Sequence, residues 1–252
     1  MVSAKALLLS AGFSLSGAAM AAETPYFQTG FESEADFAGF YITPVKPGGS
    51  DGQELSRARR YSGEFSHHAW IVAPNPESTL LTNRNHRAYP TIQFQHLSSG
   101  PVPTPVCPTF YVWADFDLED RPGRLEDQWI SLATFTSDPS NRWSRTVLVN
   151  VVQDGRVLLQ HVPRQGQQSH IFQSTTQRFH YRQWQRIDVE LDFSGHGHAK
   201  LWLNKQLVSH AAVEQVDNQL AQAHFGLYAA PSIEAGEIFN DDLTIMPGRC
   251  GL

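Results

Sequence analysis

Short segments in which apolar and polar residues alternate recur along the chain, and this pattern restricts the fold more than any other feature. One runs through residues 110–117, where Phe110, Val112, Ala114 and Phe116 alternate with polar or aromatic residues. The same period of two recurs over residues 146–151, 186–193 and 224–228. Because successive side chains of a strand point to opposite faces, this period predicts half-buried β-strands. The sequence therefore predicts an all-β fold built as a two-sheet antiparallel sandwich.

Turn residues separate these segments. Asp154-Gly155 lies between two apolar runs and predicts a hairpin, and Ser-Gly-His-Gly at 194–197 predicts another turn. The stretch from Val213 to Ala221 is the one candidate for a short helix. No linker or internal repeat interrupts residues 22–252, which we expect to form a single domain.

The first 21 residues have the pattern of a secretory signal peptide. Lys5 supplies the positive start, Ala6 to Ala18 form an apolar run of small residues, and Ala19-Met20-Ala21 fits the cleavage site. We therefore expect a secreted or periplasmic protein. In such an oxidising compartment Cys107 and Cys250 can form a disulfide, with two unpaired thiols as the alternative.

Charge and hydropathy exclude two classes of partner. The formal net charge of -6 argues against a globally basic nucleic-acid binder. No other segment approaches the length of apolar sequence that a membrane-spanning helix needs. We expect neither nucleic acid nor a membrane span.

Three groups of segments, in this order, resemble the concanavalin A-like jelly roll of secreted polysaccharide lyases (the heparin lyase I and alginate lyase kind) and of related carbohydrate-binding modules. They are Gly-Phe-Glu-Ser at 30–33, Gln-Trp-Gln-Arg-Ile-Asp-Val at 183–189 with Ala-Lys-Leu-Trp-Leu-Asn at 199–204, and His-Phe-Gly-Leu-Tyr at 224–228 with Asn-Asp-Asp-Leu-Thr-Ile at 240–245. The resemblance implies a jelly-roll sandwich of the lectin and glucanase type. It also implies a polysaccharide partner, a monomer and no catalytic cofactor.

In this architecture one sheet is concave and exposes polar and aromatic residues to the substrate. The segment from Arg87 to Gln95 fits such a strand, because alternate residues from Arg87 to Gln95 share one face. The predicted substrate-binding residues come from this segment, the strand at 110–117, the strand at 146–151 and a polar loop: His86, Tyr89, Gln95, Tyr111, Trp113, Asp115, Asn150, Arg164 and Gln167.

A lyase of this kind performs β-elimination, which needs a group that neutralises a uronate carboxylate and a base at the adjacent proton. Arg87 is the predicted neutralising group, with Gln93 or Asn150 in support, and Tyr228 is the predicted acid. The candidate bases are His86, His161 and His224. His224 lies four residues from Tyr228, roughly 13 Å along a regular strand, so His161 on another strand is the first choice.

Alginate lyases of the jelly-roll kind match this chain in part. Their arginine-rich strand corresponds to residues 86–90, where Arg87 carries over. Their Tyr-Phe-Lys-x-Gly-x-Tyr strand corresponds to residues 224–228, where Tyr228 carries over. Their Gln-Ile-His strand falls near residues 131–135, where neither Gln nor His is present.

Two alternatives to a lyase stay open. Asp115, Asp117 and Glu119 resemble the Glu-x-Asp-x-Glu motif of jelly-roll β-glucan hydrolases, which need two carboxyl groups. A non-catalytic carbohydrate-binding module is the other alternative, favoured by the absent Gln-Ile-His element.

Carbohydrate modules of this fold often hold a structural calcium ion between an N-terminal Phe-Glu turn and a C-terminal Asp-Asp strand. Glu32 and Asp241 or Asp242 match those positions. Carboxylate oxygens are the ligands that calcium prefers, so the resemblance implies a calcium site here.

Overall fold

The computed structural model describes residues 23–42, 51–74, 85–98, 100–116, 118, 128–140, 142–163, 169–172, 177–214 and 217–252. In chain order the first nine strands are β1 (Phe27–Thr29), β2 (Phe40–Ile42), β3 (Asp51–Ser56), β4 (Ser66–Ile71), β5 (His86–Ala88), β6 (Pro90–Gln93), β7 (Val102–Pro103), β8 (Val106–Phe116) and β9 (Trp129–Thr136). The remaining strands are β10 (Thr146–Val152), β11 (Val157–Val162), β12 (His170–Phe172), β13 (Gln185–Asp192), β14 (His198–Leu203), β15 (Gln206–Ala212), β16 (Gln219–Leu220), β17 (Gln222–Ala229) and β18 (Gly236–Pro247).

Two eight-stranded antiparallel sheets contain most of these strands. The first sheet has the order β15-β14-β13-β8-β18-β4-β3, and β1 also pairs with β18. The second sheet has the order β12-β11-β10-β9-β17-β6-β2, and β5 also pairs with β17. Strands β7 and β16 form a separate pair. The predicted antiparallel two-sheet sandwich is confirmed.

Alternation along the strands builds the core, because each strand sends its apolar residues between the two sheets. Phe110 of β8 meets Phe225 of β17 with ring centroids 5.1 Å apart, which joins the first sheet to the second. Both side chains are almost fully buried. Burying a side chain of this size stabilises the fold by about 1.5–3 kcal/mol.

Turns fall where the sequence predicts them. Gly155, with a φ of 76°, follows Asp154 in the connection between β10 and β11, which pair in a hairpin. The candidate helix at 213–221 is wrong, because its described residues form a turn at Asp217 and the short strand β16. Two short 3-10 helices, at Glu34–Phe37 and Phe94–His96, are present. Within the described ranges no helix is long and apolar enough to cross a bilayer.

Cys107 and Cys250 form a disulfide, which confirms the pairing that the sequence left open. Cys107 starts β8, and Cys250 follows β18. The two cysteines are 143 residues apart in the sequence, and their bond links the C-terminus to the first sheet. The indole of Trp202 packs against the bridge.

Candidate functional site

The outer side of the second sheet carries the best candidate site. On β17, Ala223, Phe225 and Leu227 point into the core, so His224 and Tyr228 point outward. Strand pairing places Thr91 and Arg87 beside them on one side and Thr134 and Ser131 on the other. We call this surface, defined by Arg87, Tyr89, Trp129, His224 and Tyr228, the His224 face.

A bulge in β17 brings His224 and Tyr228 together. The pairing of β17 with β9 shifts register between Phe225 and Tyr228, and Gly226 has a φ of 122°. The ring centroids of His224 and Tyr228 are consequently 5.9 Å apart. The separation of roughly 13 Å expected for a regular strand therefore does not apply, because the strand is bulged between these two residues.

Gly226 fits the bulge because it has no side chain. A Cβ added there would lie 2.9 Å from the His67 ring and 3.0 Å from the Ala88 carbonyl oxygen. The positive φ is also a conformation that residues with a Cβ rarely adopt.

Aromatic rings enclose the imidazole of His224. Tyr89 stacks on it with centroids 3.8 Å apart, and Trp143 lies 4.9 Å away. Trp129 lies 5.1 Å from the ring of Tyr228. All three covering rings are half-buried, so they present part of their surface to solvent.

His224 is neutral and has hydrogen-bonding capacity to spare. Burial, together with the positive charge of Arg87, lowers the pKa of His224 to about 3. The residue is 5% exposed, and neither ring nitrogen has a hydrogen-bond partner among the described residues. Leaving a buried polar atom without a partner costs about 1–3 kcal/mol, which is typical of a site that a ligand or water completes.

Asn85 contacts the hydroxyl group of Tyr228, and Arg87 and Tyr89 lie beside its ring. Asn85 donates from Nδ2 to the Tyr228 hydroxyl at 2.6 Å, and the Arg87 guanidinium lies 5.9 Å from the Tyr228 ring. Burial raises the pKa of Tyr89 to about 12, so this phenol stays protonated at neutral pH. Arg87 is exposed, and strand pairing places it directly beside Tyr228.

A tight turn holds Trp143 against His224. The Asp138 carboxylate accepts hydrogen bonds from the backbone N–H groups of Ser140 and Ser144 and from the Ser144 hydroxyl. Although burial opposes it, this bonding lowers the pKa of Asp138 to about 2. Trp143 itself has a φ of 50°, which the turn imposes.

Two predicted amides lie on the same face but away from the Tyr228 hydroxyl. Gln93 donates to Gln222 at 3.2 Å. Gln222 lies two residues before His224 on β17, at the next outward-facing position. Asn150 donates to Gln160 at 2.7 Å and lies two strands from Tyr228, about 10 Å away. Gln95 lies in the second 3-10 helix and donates to the Pro139 carbonyl, outside the cluster.

Two predicted histidines do not reach the site. His86 is fully buried on the core side of β5, 3.3 Å from the Asp51 carboxylate. His161, the first-choice base, also points away from the His224 face, since it pairs with the core residue Val147. Its Nδ1 lies 2.9 Å from the Thr146 carbonyl, and its Nε2 accepts from the Glu214 N–H. Both rings are buried on the core side of the second sheet, so neither shares the outer face with Tyr228.

Three other predicted substrate contacts lie on the opposite side of the molecule. Tyr111, Trp113 and Asp115 point outward from β8 in the first sheet, because Phe110, Val112 and Ala114 occupy its core face. Asp115 pairs with Arg182 at 2.9 Å. The prediction that these residues share one concave sheet with the segment 87–95 is therefore wrong, because β8 lies in the first sheet and β5 and β6 lie in the second. The remaining predicted positions, Asp117, Glu119, Arg164, Gln167 and the signal segment 1–21, lie outside the described residues.

The predicted calcium ligands bind the same turn, at residues 61–64. Asp241 accepts from the N–H groups of Tyr61 and Ser62, Glu32 accepts from that of Glu64, and Asp242 accepts from the Ser62 hydroxyl. Burial raises the pKa of Asp241 to about 6. The carboxylates thus anchor the turn at 61–64.

The arrangement of these carboxylates does not by itself match a metal site. In the part of the chain that the structure describes, no three His, Cys, Asp or Glu side chains are grouped to hold one ion. Calcium stays a prediction. If calcium binds here, the protein is expected to melt at a higher temperature in calcium than in EDTA. Equal melting temperatures would contradict a calcium site.

Sequence reasoning missed three residues of the site. Asn85 immediately precedes β5, Trp129 is the first residue of β9, and Trp143 lies in the turn before β10. Trp129 lies two residues before Ser131, which pairs with Tyr228. If the pairing of β9 with β17 were known from the sequence, alternation would therefore place Trp129 beside Tyr228. Trp143 reaches the site through a turn, which alternation cannot predict.

Solved structures with the same fold are numerous, although no family model and no curated protein sequence matches this chain. An endo-β-1,4-glucuronan lyase from the fungus Trichoderma reesei aligns with a TM-score of 0.57 at 13% identity, over 89% of this chain and 96% of that one. The cellulose-induced protein Cip1 aligns with a TM-score of 0.60 at 13% identity, over 90% and 99%.

The alginate lyase Aly36B aligns with a TM-score of 0.51 at 11% identity, over 92% of this chain and 95% of that one. At these identities the alignments establish the fold. The jelly-roll sandwich that the sequence motifs imply is thus confirmed.

Proposed function

We propose that this protein is a polysaccharide lyase that cleaves an acidic glycan by β-elimination on the His224 face. The observation that carries the proposal is a neutral, buried imidazole without a hydrogen-bond partner among the described residues, placed beside Tyr228 and Arg87. Such a group can accept a proton, and the two neighbours supply an acid and a positive charge.

The proposed reaction uses three side chains of this face. Arg87 binds the uronate carboxylate and stabilises the negative charge that develops when the adjacent carbon loses its proton. His224 takes that proton. The bond from the neighbouring ring carbon to the glycosidic oxygen breaks, and Tyr228 donates a proton to the departing oxygen. The products are a chain with a new reducing end and a chain that ends in an unsaturated uronate.

Substrate binding would adjust His224 for this role. The pKa of His224 is low because of burial and because of Arg87. A uronate carboxylate against Arg87 offsets that positive charge, so the imidazole becomes more basic once the substrate is bound. Asn85 donates to the Tyr228 oxygen, which leaves the phenolic proton to point toward the substrate.

The structural neighbours support the class of reaction. Two of them are named as lyases, one of glucuronan and one of alginate, and both align over most of their length. The identities are low, so the proposal for this chain depends on the His224 face itself.

Ultraviolet absorbance of unsaturated products tests the proposal, with a reducing-end assay in parallel. The substrates are glucuronan, alginate, heparin, pectin and neutral β-glucans. Rising absorbance with at least one acidic glycan is the expected result. New reducing ends without that absorbance would instead support a hydrolase, the alternative that involves Asp115, Asp117 and Glu119.

A second candidate is carbohydrate binding without catalysis. His224 is only 5% exposed, which favours a surface that binds sugars through Tyr89, Trp129 and Trp143 and leaves the imidazole covered. Glycan binding with neither unsaturated product nor chain shortening would support this candidate.

We also propose that the protein is exported and that residues 1–21 are removed. The small-residue motif at Ala19-Met20-Ala21 supports this proposal. Intact mass of the protein recovered from the periplasm or medium would show a chain that begins near residue 22. A chain that retains residues 1–21 would contradict it.

A further inference from the structure

An open cleft lies on the outer side of the first sheet, across the core from the His224 face. It has a volume of about 500 Å³, and its principal side chains are Arg59, Arg60, Tyr61, Trp113, Arg182 and Trp184. We call it the arginine cleft. Its volume is within the range of about 300–1,000 Å³ that is typical of small-ligand sites.

Aromatic rings form the walls of the arginine cleft. Tyr61 stacks on Tyr111 with centroids 3.6 Å apart, and Trp184 meets Tyr61 edge-on at 5.9 Å. The Arg59 guanidinium lies 3.8 Å over the ring of Trp113. Tyr61 is 46% exposed, so it offers solvent a flat apolar surface on which a sugar ring can pack.

The arginines of the arginine cleft are its positively charged groups. Three arginines line it, and two of them pair with carboxylates: Asp115 with Arg182 at 2.9 Å and Glu237 with Arg59 at 3.9 Å. The carboxylates of Glu32, Asp241 and Asp242 are bound instead by backbone N–H groups and the Ser62 hydroxyl of the turn at 61–64. In both pairs the arginine is exposed and the carboxylate is half-buried, and pairs at the protein surface contribute only about 0–1 kcal/mol. A ligand carboxylate can therefore replace a protein carboxylate at little cost, and guanidinium groups bind carboxylates in a two-pronged geometry.

The backbone that carries this chemistry is held in place before any ligand binds. Asp241 accepts from the N–H of Tyr61 at 2.7 Å, and Glu32 accepts from that of Glu64 at 2.7 Å. Gly63, with a φ of 58°, has no room for a Cβ beside Glu32. A fixed turn lowers the entropic cost of binding at Tyr61 and Arg60.

We propose that the arginine cleft is a second, non-catalytic binding site for an acidic oligosaccharide. Aromatic walls suit the sugar rings, and the arginines suit their carboxylates. The cleft lies in the other sheet from His224, so this site does not depend on the chemistry proposed for the His224 face.

Calorimetric titration with a glucuronan tetrasaccharide tests this site in Tyr228→Phe protein, which keeps the probe intact. The double variant Arg59→Ala/Arg182→Ala is expected to bind one tetrasaccharide fewer per chain, with affinity at the lost site reduced at least tenfold. Arg57→Ala is the matched control, because Arg57 lies in the same connection between β3 and β4 but pairs with Glu64 and does not line the cleft. Unchanged stoichiometry and affinity in the double variant would overturn the proposal.

Two further measurements keep the test decisive. Cellotetraose, a neutral probe of equal length, is expected to bind the cleft at least tenfold more weakly, and equal binding would overturn the preference for an acidic ligand. Arg182→Gln serves if the double variant does not fold, since the Arg182 side chain is 74% exposed. The two proposals can fail separately. If the parent protein has no lyase activity but the arginine variants still lose one binding site, the result supports the cleft and contradicts the reaction.

Discussion

The two outer faces of the sandwich satisfy their polar groups in different ways. On the His224 face a buried imidazole has no hydrogen-bond partner among the described residues, and one exposed arginine stands beside it. On the first sheet, Arg182 pairs with Asp115, and Arg186 pairs with the fully buried Asp188 at 2.7 Å. Both faces also carry aromatic rings.

This difference separates a surface suited to chemistry from one suited to binding. A neutral group with unused capacity can take part in proton transfer, and it costs stability until a substrate is bound. Paired arginines cannot transfer protons at neutral pH, but they can exchange one carboxylate for another. The contrast leads to four predictions.

The largest expected effect is on turnover at the His224 face. Tyr228→Phe removes the proposed acid and is expected to lower kcat by about 10²–10⁴-fold, because general acid catalysis contributes that much. Unsaturated-product absorbance measures it. Tyr26→Phe is the matched control, since Tyr26 is 37% exposed and lies on neither face's cluster. Equal losses in both variants would contradict a specific role for Tyr228 and, with it, the catalytic assignment of the His224 face.

Removal of the disulfide, which lies at the first sheet, is expected to have the next largest effect, and this effect is on stability. Cys107→Ser/Cys250→Ser is expected to lower the free energy of unfolding by about 2–5 kcal/mol, because the bridge restricts a long segment of the unfolded chain. Urea unfolding measures it. In the folded variant kcat should stay near that of the parent, and a parallel fall in kcat would show that the two sheets are not independent.

The bulge on β17 gives a smaller effect. Gly226→Ala places a methyl group against His67 and the Ala88 carbonyl at a positive φ, so we expect a loss of about 1–3 kcal/mol in stability. Activity should fall further than stability explains, because His224 and Tyr228 flank the bulge. Gly100→Ala is a control with open space around it, although its φ is also positive. Indistinguishable variants would count against the role of the bulge.

The smallest effect is a slope in the pH dependence of stability. The pKa of His224 is about 3 in the fold against 6.5 in the unfolded chain, so the unfolded chain binds one more proton between these values. The contribution of His224 to the free energy of unfolding is complete above pH 6.5. Below that pH it falls by about 1.4 kcal/mol per pH unit until the pKa of the folded state is reached. His224→Gln should make the slope shallower by that amount.

The exposed His210 provides the control for this slope. His210→Gln makes the same exchange of imidazole for amide at an exposed position and shows what that exchange does by itself. Urea unfolding between pH 4 and 7 compares the three proteins. An unchanged slope in His224→Gln would contradict a neutral, buried His224.

Alternation predicted which residues of each strand face the core but not which sheet a strand joins. It placed Ala88, Ile92 and Phe94 in the core, where all three are buried. It could not assign Trp113 to the sheet opposite Arg87, because pairing between distant segments leaves no local signal. For the same reason it favoured His161 over His224: the bulge at Gly226 depends on the contacts of β17 with β9 and β5.

The most direct test compares unsaturated-product formation from acidic glycans by the parent protein, His224→Gln and His210→Gln. We predict that the parent and His210→Gln release unsaturated uronates at similar rates and that His224→Gln loses at least a hundredfold in kcat while still binding the glycan. Equal rates in all three proteins would contradict the account, because the base would then lie elsewhere.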